Sequence, residues 1–379
     1  MVAGTPCGRI SPVTGLQVVM VGSFPPPVGG AALVNQMVFD ALKSRGAKAT
    51  ALDISGPTLA HSRSLGYHAQ RARANWRAGR AAYRLAAPEH VLYVVPDAGA
   101  GAWYTAGIVR AVANKFGRII VHHHSCRYIE NYSRPMALLT DTTRRKAVHV
   151  FLTDGMADSF ARKYGAVDRL VATNARFVAE EANVPVSVQG TGTLRLGHLS
   201  NLCADKGFFI VADTFDAIRS SGQDATLLLA GPALDEDVVT RINELRTRHG
   251  ERVTHVGKVS GVAKRDIYRA IDVFLFPTQF RQEAAPLVIY ESLAAGVPVL
   301  TTDRGVIREI VTGIRGAVCP RDGNFVEFVQ KWIIDEAGTP IDRQHRSTMI
   351  QQEIQQDCAY SIQQYNGLLD LMTHPPEHA

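Results

Sequence analysis

Short apolar runs, each followed by a loop and then a helical pattern, recur along nearly the whole chain, and this alternation excludes most folds. Gln17–Val21, Val91–Val95 and Arg118–Val121 read as strands, with Ala31–Ser44 as the first intervening helix, and His149–Thr153 and Leu170–Thr173 keep the rhythm. Strands buried on both faces are nearly continuous apolar runs, and strands alternating with helices build parallel sheets. The rhythm breaks over Ala182–Thr193, a Pro- and Gly-containing stretch that reads as a hinge, and then restarts. Leu194–Leu199, Ala225–Ala230, Thr254–Val256, Val273–Phe276 and Val297–Thr301 are the strands of this second set.

The expectation is an α/β chain of two doubly wound domains facing a cleft. A flexible stretch 1–14 precedes a first domain over 15–185, a second spans 193–345, and a helical tail occupies 346–379. The tail is polar, with Met349, Ile354, Tyr360 and Leu368 available for docking back on the first domain. A length of 379 residues suits this organisation, and 46% hydrophobic with 20% charged residues excludes wholesale disorder. No apolar run reaches the roughly 18 residues of a spanning helix, and Met1–Thr14 has no signal-peptide core, so a cytoplasmic location is expected. The five cysteines are scattered without a CxxC pair, so neither a metal site nor a disulfide framework is expected.

Charge is unevenly placed. Residues 1–190 carry 22 Lys/Arg against 11 Asp/Glu, a net +11, whereas the remainder is net −5. A basic half points to an anionic partner.

In doubly wound sheets ligands bind beyond the carboxyl ends of the strands, so the residues there are the candidates. After Val273–Phe276 comes a loop with Glu283, then Pro286 at a helix start and Glu291 inside that helix. Leu287 and Val288 thus present backbone N–H groups at a helix N-terminus, a ready anion site. Two carboxylates flanking it suit a ligand with hydroxyls at both ends and phosphate between, although solvated helix-start glutamates show the same pattern. After Leu194–Leu199, Lys206 stands at the entrance of the next helix, where it reaches a phosphate or simply faces water. The loop after the first strand ends in Gly29-Gly30 directly before a helix; it has neither the Walker nor the GxGxxG spacing. His122-His123-His124 follows Arg118–Val121. Neighbours on an extended segment alternate faces, so the three do not converge on one metal, and one or two of them face the cleft or plug the domain edge.

Taken in order, these segments resemble the retaining glycosyltransferases of family 4, whose fold is GT-B. Glu283-Ala-Ala-Pro-Leu-Val-Ile-Tyr-Glu291 has the family's E-x7-E spacing, and Ser200–Gly207 is similar to its G-R-L-x-x-x-K-G loop. Gly22–Gly30 resembles its P-P-x-x-G-G loop, His122–Ser125 its H-x-H-G strand end, and Val171–Val178 its V-x-x-N-x-x-x-V segment. The resemblance runs from about Gln17 to Asp322. It implies two Rossmann-like domains, with a C-terminal helix crossing back to the first. It implies that the second domain binds a nucleotide-sugar, UDP- or GDP-linked, and transfers a hexose-type sugar with retention and no obligatory cofactor or metal. Glu291 would bond the ribose, the Leu287 and Val288 amides with Lys206 would hold the diphosphate, and Glu283 would contact the sugar. Gly29 and Gly30 would line the donor site from the other domain, and His124 is the best match to the family's active-site histidine. The acceptor would be a saccharide or lipid-linked saccharide of a cell-surface polysaccharide pathway. Three positions depart from the pattern: Asn201 stands where the family has an arginine, and Ala284 and Ala285 replace a glycine and a bulky residue. The lost arginine keeps a non-catalytic scaffolding homologue in view, while the E-x7-E helix disfavours a GT-B nucleotide-sugar 2-epimerase.

Arg73, Arg77, Arg80 and Arg84 share one face of a helix, with Trp76 and Tyr83 on an adjoining stripe. A basic face beside interfacial aromatics suits an anionic membrane surface, and thus a protein peripheral on the inner face of the plasma membrane. The plainer reading is a solvated helix that packs through Trp76. No nucleic-acid module accompanies the patch.

Overall fold

The computed structural model describes residues 15–26, 29–56, 65–185, 192–281 and 283–374. The stretch 1–14, part of the Gly22–Gly30 loop, most of the expected hinge and the end of the tail lie outside the described residues. The first sheet contains β1 (Gln17–Gly22), β2 (Lys48–Asp53), β3 (Val91–Val94), β4 (Arg118–His122), β5 (Ala147–Phe151) and β6 (Asp168–Val171), in the order β2-β1-β3-β4-β5-β6. The second contains β7 (Leu194–Leu199), β8 (Ala225–Ala230), β9 (Val253–His255), β10 (Val273–Phe276), β11 (Val299–Thr302) and β12 (Gly316–Cys319), in the order β12-β11-β10-β7-β8-β9. Neighbouring strands pair in parallel throughout. Strand order reverses once in each sheet, between β1 and β3 and between β7 and β10, and these reversals are where such sheets hold ligands.

The apolar runs are the interior strands: β1, β3 and β10 are buried at every residue. Two strands were absent from the sequence reading, β2 and β12, and both are sheet edges. An edge strand needs no continuous apolar run; β2 (KATALD) exposes Lys48, Ala51 and Asp53, so its pattern is too polar to stand out. β5 ends at Phe151 rather than Thr153, because the Thr153 hydroxyl accepts the Met156 N–H at 3.1 Å and caps the next helix instead.

The C-terminal helix runs from Pro340 to Thr373, opened by a capping box between Thr339 and Asp342. At 1.5 Å per residue it is about 50 Å long, enough to reach from one sheet to the other. Near its start Arg343 lies 3.8 Å from Asp272, which precedes β10. Near its end Tyr365, Leu368, Leu369 and Met372 share a core with Val18, Met20 and Tyr93 of the first sheet. Between these points its side chains bond the backbone of the segment that leaves the first sheet: Gln355 to Ala182 O at 2.8 Å, Cys358 to Ala175 O at 3.0 Å and Ser361 to Thr173 O at 2.6 Å. Ile354 and Leu368 are buried, but Met349 and Tyr360 are 41% and 61% exposed and do not dock. The buried stripe follows 350, 354, 358, 361, 365 and 368, and Met349 and Tyr360 fall one residue off it.

Candidate functional site

At the reversal in the second sheet, the loop after β7 enters the helix Phe208–Ser220 and the loop after β10 enters the helix Leu287–Ala294. Across this point Lys206 Nζ meets Glu283 Oε2 at 2.5 Å, and Thr278 Oγ1 donates to the same oxygen at 3.2 Å. The ammonium also lies 4.6 Å from the centroid of the Phe280 ring. The two loops approach this closely because Gly207 takes φ +80°, where a Cβ would stand 2.1 Å from Pro277 O.

The helix after Glu283 is uncapped. Pro286 occupies the N-cap in an extended conformation with no side-chain bond, and the Ile289 N–H donates to Pro286 O at 3.1 Å. The Leu287 and Val288 amides therefore stand at an open helix end, with Ala284 and Ala285 buried beside them. Asn174, from the segment after β6, donates to Ala285 O at 2.8 Å and pins this loop to the first domain. One turn along, Glu291 is held by Lys264 Nζ at 2.5 Å and by the Tyr268 hydroxyl at 3.0 Å. Sequence reasoning missed Lys264 and Tyr268; they lie four residues apart on the helix Gly261–Arg269, a spacing that puts them on one face but does not say what they meet. Asn201 is partly buried in the loop after β7, between Ser200, whose hydroxyl lies 2.8 Å from His198 Nε2, and Leu202.

The three histidines separate. His122, the last residue of β4, lies with its Nδ1 2.6 Å from the Tyr93 hydroxyl. His123 turns the other way, with Nε2 2.9 Å from His149 Nδ1 and its ring stacked on Phe151. Both are fully buried, whereas His124 keeps partial exposure, and its Nε2 has no partner among the described residues. His122 Nε2 is likewise buried without a partner among the described residues, so of the three rings only the partial exposure of His124 sets it apart. Burial lowers its pKa to about 3, so the ring is neutral at physiological pH. Nearby, burial and the carboxylates of Glu130, Glu309 and Glu283 push the Cys126 thiol up to about 12, leaving it protonated.

Burial also lowers His149 and His198 to about 4. Because the unfolded chain takes up these protons near pH 6.5 and the folded chain does not, stability is full above pH 6.5 and falls as pH drops toward 4. At pH 5 each ring costs about 2 kcal/mol. The urea midpoint should therefore decrease between pH 7 and pH 5, and a constant midpoint would refute the assignment.

From the first domain, Gly29 caps the helix Gly30–Ser44 with φ −138°, and among the described residues nothing lies within 4 Å of a Cβ at either Gly29 or Gly30. The arginines Arg73, Arg77, Arg80 and Arg84 are all exposed on the helix Leu65–Leu85. The packing anchor suggested by the sequence is corrected: Trp76 is 63% exposed, and the helix is seated by Asn75, Ala78 and Ala82, with Gly79 against Ile108. Small residues set that contact, so the indole is left outside. No group of His, Cys, Asp and Glu among the described residues is placed to hold a metal ion, and no described helix is long and apolar enough to cross a membrane.

Two parallel doubly wound sheets, with the site at the reversal of the second, define a GT-B architecture. Residues 193–334, which hold this site, match the family model "Glycosyl transferases group 1". The chain is 30% identical over 146 residues to the capsular polysaccharide biosynthesis glycosyltransferase CapM of Staphylococcus aureus, covering 38% of this chain and 37% of that one. It is 32% identical over 112 residues to the lipopolysaccharide core biosynthesis mannosyltransferase LpsB of Rhizobium meliloti, covering 28% of this chain and 31% of that one. The matched stretches thus span about a third of the length of these relatives. Among solved structures, Anabaena Alr3699/HepE in complex with UDP and glucose superposes over 92% of this chain and 99% of that one, with TM-score 0.58 at 16% identity. An α,α-trehalose-phosphate synthase (UDP-forming) from Burkholderia vietnamiensis superposes over 94% and 97%, with TM-score 0.64 at 13% identity. These structures share the fold.

Proposed function

We propose that the chain is a retaining glycosyltransferase of family 4, moving a hexose-type sugar from a UDP- or GDP-sugar to a glycan or lipid-linked saccharide. The observation that carries this reading is the Lys206–Glu283 pair beside the open Pro286–Val288 helix start. The Leu287 and Val288 amides and Lys206 hold the diphosphate, and Glu291 takes the ribose hydroxyls. Glu283 and Ala285 face the sugar, Asn201 lies along the phosphates, and Gly29 and Gly30 close the site from the first domain. On donor binding, Lys206 exchanges Glu283 for phosphate, which frees the carboxylate to accept sugar hydroxyls. The bond from the anomeric carbon to the phosphate oxygen breaks as the acceptor oxygen bonds that carbon from the same face. The acceptor proton passes to the departing phosphate, whose growing charge the amides and Lys206 stabilise. His124, held neutral, bonds a sugar hydroxyl without adding charge. No step needs a metal or a separate cofactor. CapM and LpsB, named for capsule and lipopolysaccharide core synthesis, support a cell-surface saccharide as acceptor. A panel of UDP- and GDP-sugars tests the reading: turnover of at least one donor is expected, and none would favour a non-catalytic scaffold.

The exposed Arg73, Trp76, Arg77, Arg80, Tyr83 and Arg84 form the proposed membrane face of a peripheral cytoplasmic protein. Arg80 lies 5.6 Å from the Trp76 ring and Lys115 lies 4.4 Å from the Tyr83 ring. Trp103 and Tyr104, on the neighbouring helix, are exposed as well. Reversing two charges, Arg77→Glu with Arg80→Glu, should weaken sedimentation with phosphatidylglycerol vesicles at least about tenfold, at ~1 kcal/mol per basic residue. Unchanged sedimentation would eliminate this face.

A further inference from the structure

The second domain contains a cavity of about 290 Å³ at the carboxyl ends of β10, β11 and β12, bounded by Gln279, Asp303, Arg304, Arg321, Ile210 and Phe325. It lies on the same carboxyl edge as the uncapped helix start and next to it: Thr302 Oγ1 donates to Thr278 O at 2.6 Å and the Gln279 N–H to Asp205 O at 2.8 Å, on the loops that carry Glu283 and Lys206. Val273 and Leu275 of β10 point into the core beneath the helices Phe208–Ser220 and Phe325–Glu336, which flank the cavity. Phe274 and Phe276 point into the other core, with Ile289 and Leu293 of the helix Leu287–Ala294.

The chemistry of the cavity is polarised. Arg304 donates from Nη2 to Gln279 Oε1 at 2.9 Å; among the described residues it has no ion pair, and its Nε is buried without a partner. Arg321 adds a second guanidinium, reaching Glu130 at 2.7 Å. The two carboxylates on the wall are offset from outside the cavity, Asp213 by Arg241 at 2.7 Å and Asp303 by Arg308 at 3.1 Å. They do not neutralise Arg304, yet their oxygens remain acceptors for hydroxyl groups. The amides at the start of the helix Phe325–Glu336 are already taken, since Asn324 Oδ1 accepts the Val326 and Glu327 N–H groups at 3.0 and 3.4 Å. The attraction for an anion is therefore chiefly that of Arg304, since Arg321 is itself offset by Glu130. Ile210 and Phe325 supply an apolar wall suited to the carbon face of a sugar ring.

We infer that this cavity is a second ligand site, beside the proposed donor site, which binds a phosphorylated monosaccharide: the phosphoryl group on Arg304 and Arg321, the hydroxyls toward Asp213 and Asp303. A guanidinium fork matches phosphate oxygens two at a time, and a partly buried one without a counter-ion gains most from such a partner. The volume suits one hexose phosphate.

Equilibrium binding of glucose 6-phosphate, inorganic phosphate, glucose, UDP and GDP to the full chain at low ionic strength tests this. Glucose 6-phosphate should bind at least about tenfold more tightly than phosphate or glucose, since neither fragment uses both ends of the site. Arg304→Gln, which keeps a hydrogen-bonding amide but loses the charge, should weaken it at least about tenfold and leave the nucleoside diphosphate within about twofold. Ile210→Trp, which fills the cavity, should abolish sugar-phosphate binding with the same nucleotide result. Absence of glucose 6-phosphate binding, equal affinity for phosphate, indifference to Arg304→Gln, or displacement by UDP or GDP would each overturn the inference. A chain that binds glucose 6-phosphate but neither nucleotide would instead overturn the donor-site reading and uphold this one.

Discussion

Lys206→Ala is expected to lower kcat/KM for sugar transfer by about a hundred- to a thousandfold, the range for removing one preorganised group that stabilises leaving-group charge. The estimate rests on placement. Lys206 stands at the strand-order reversal with its ammonium 2.5 Å from Glu283, beside a helix end that carries partial positive charge. With Asn201 in the loop where family 4 glycosyltransferases have an arginine, fewer positive groups would face the proposed diphosphate, which raises the share expected of Lys206. Fold integrity is separable, because Glu283 keeps its bond from Thr278 and stays partly hydrated. Circular dichroism should match the wild type, and Lys206→Arg should recover part of the rate. A Lys206→Ala protein within about threefold of wild type would remove this residue from the mechanism. Glu283→Ala should abolish transfer in the same assay, and a full rate would sink the proposed site.

Gly207→Ala is expected to destabilise the protein by about 3 kcal/mol or more, a value seen only when a specific mechanism operates. The left-handed backbone alone costs an L-residue about 1–2 kcal/mol. The remainder comes from the methyl group, which would stand 2.1 Å from Pro277 O, a backbone atom on the opposing loop that moves only if that loop does. Urea unfolding at neutral pH measures the loss, and activity should fall with it because Lys206 and Thr278 lie on the two displaced loops. Gly29→Ala is the control. Its φ of −138° is ordinary for any residue and its Cβ meets nothing within 4 Å among the described residues, so stability should stay within about 0.5 kcal/mol. Donor affinity should decrease if Gly29 lines the site. A Gly207→Ala protein as stable as the control would mean that the two loops are not held at this distance.

Much of the candidate site's placement in the fold was legible because the relevant signals are local. A strand end, a Pro at a helix start and a carboxylate in the preceding loop are all short-range patterns, and they placed Glu283, Leu287, Val288 and Glu291 beyond the carboxyl end of β10, where the structure has them. The partners were not legible. Lys264 lies 27 residues from Glu291 and carries no marker separating it from other surface lysines until helix packing brings the two to 2.5 Å. The histidine run was ambiguous for a related reason: alternation says that His122 and His124 share a side, but not which sits under the C-terminal helix. The ring of His122 lies 6.3 Å from that of Tyr365, and its fellow two residues on remains partly open.

The sequence by itself determined the alternation of strands and helices, the two sheets it builds, and the side chains that fall just after each strand. Periodicity, propensity and capping act over a few residues, so they survive without a fold. Only the tertiary structure decided that Lys206 and Glu283, 77 residues apart, form one pair, that Trp76 faces out, and that a cavity at the carboxyl ends of β10, β11 and β12 holds a guanidinium with no ion pair among the described residues. Those outcomes depend on which strands become neighbours and how closely their loops approach. That approach is set by parallel pairing between distant strands and by glycines such as Gly207, whose need for glycine arises from a backbone atom on another loop.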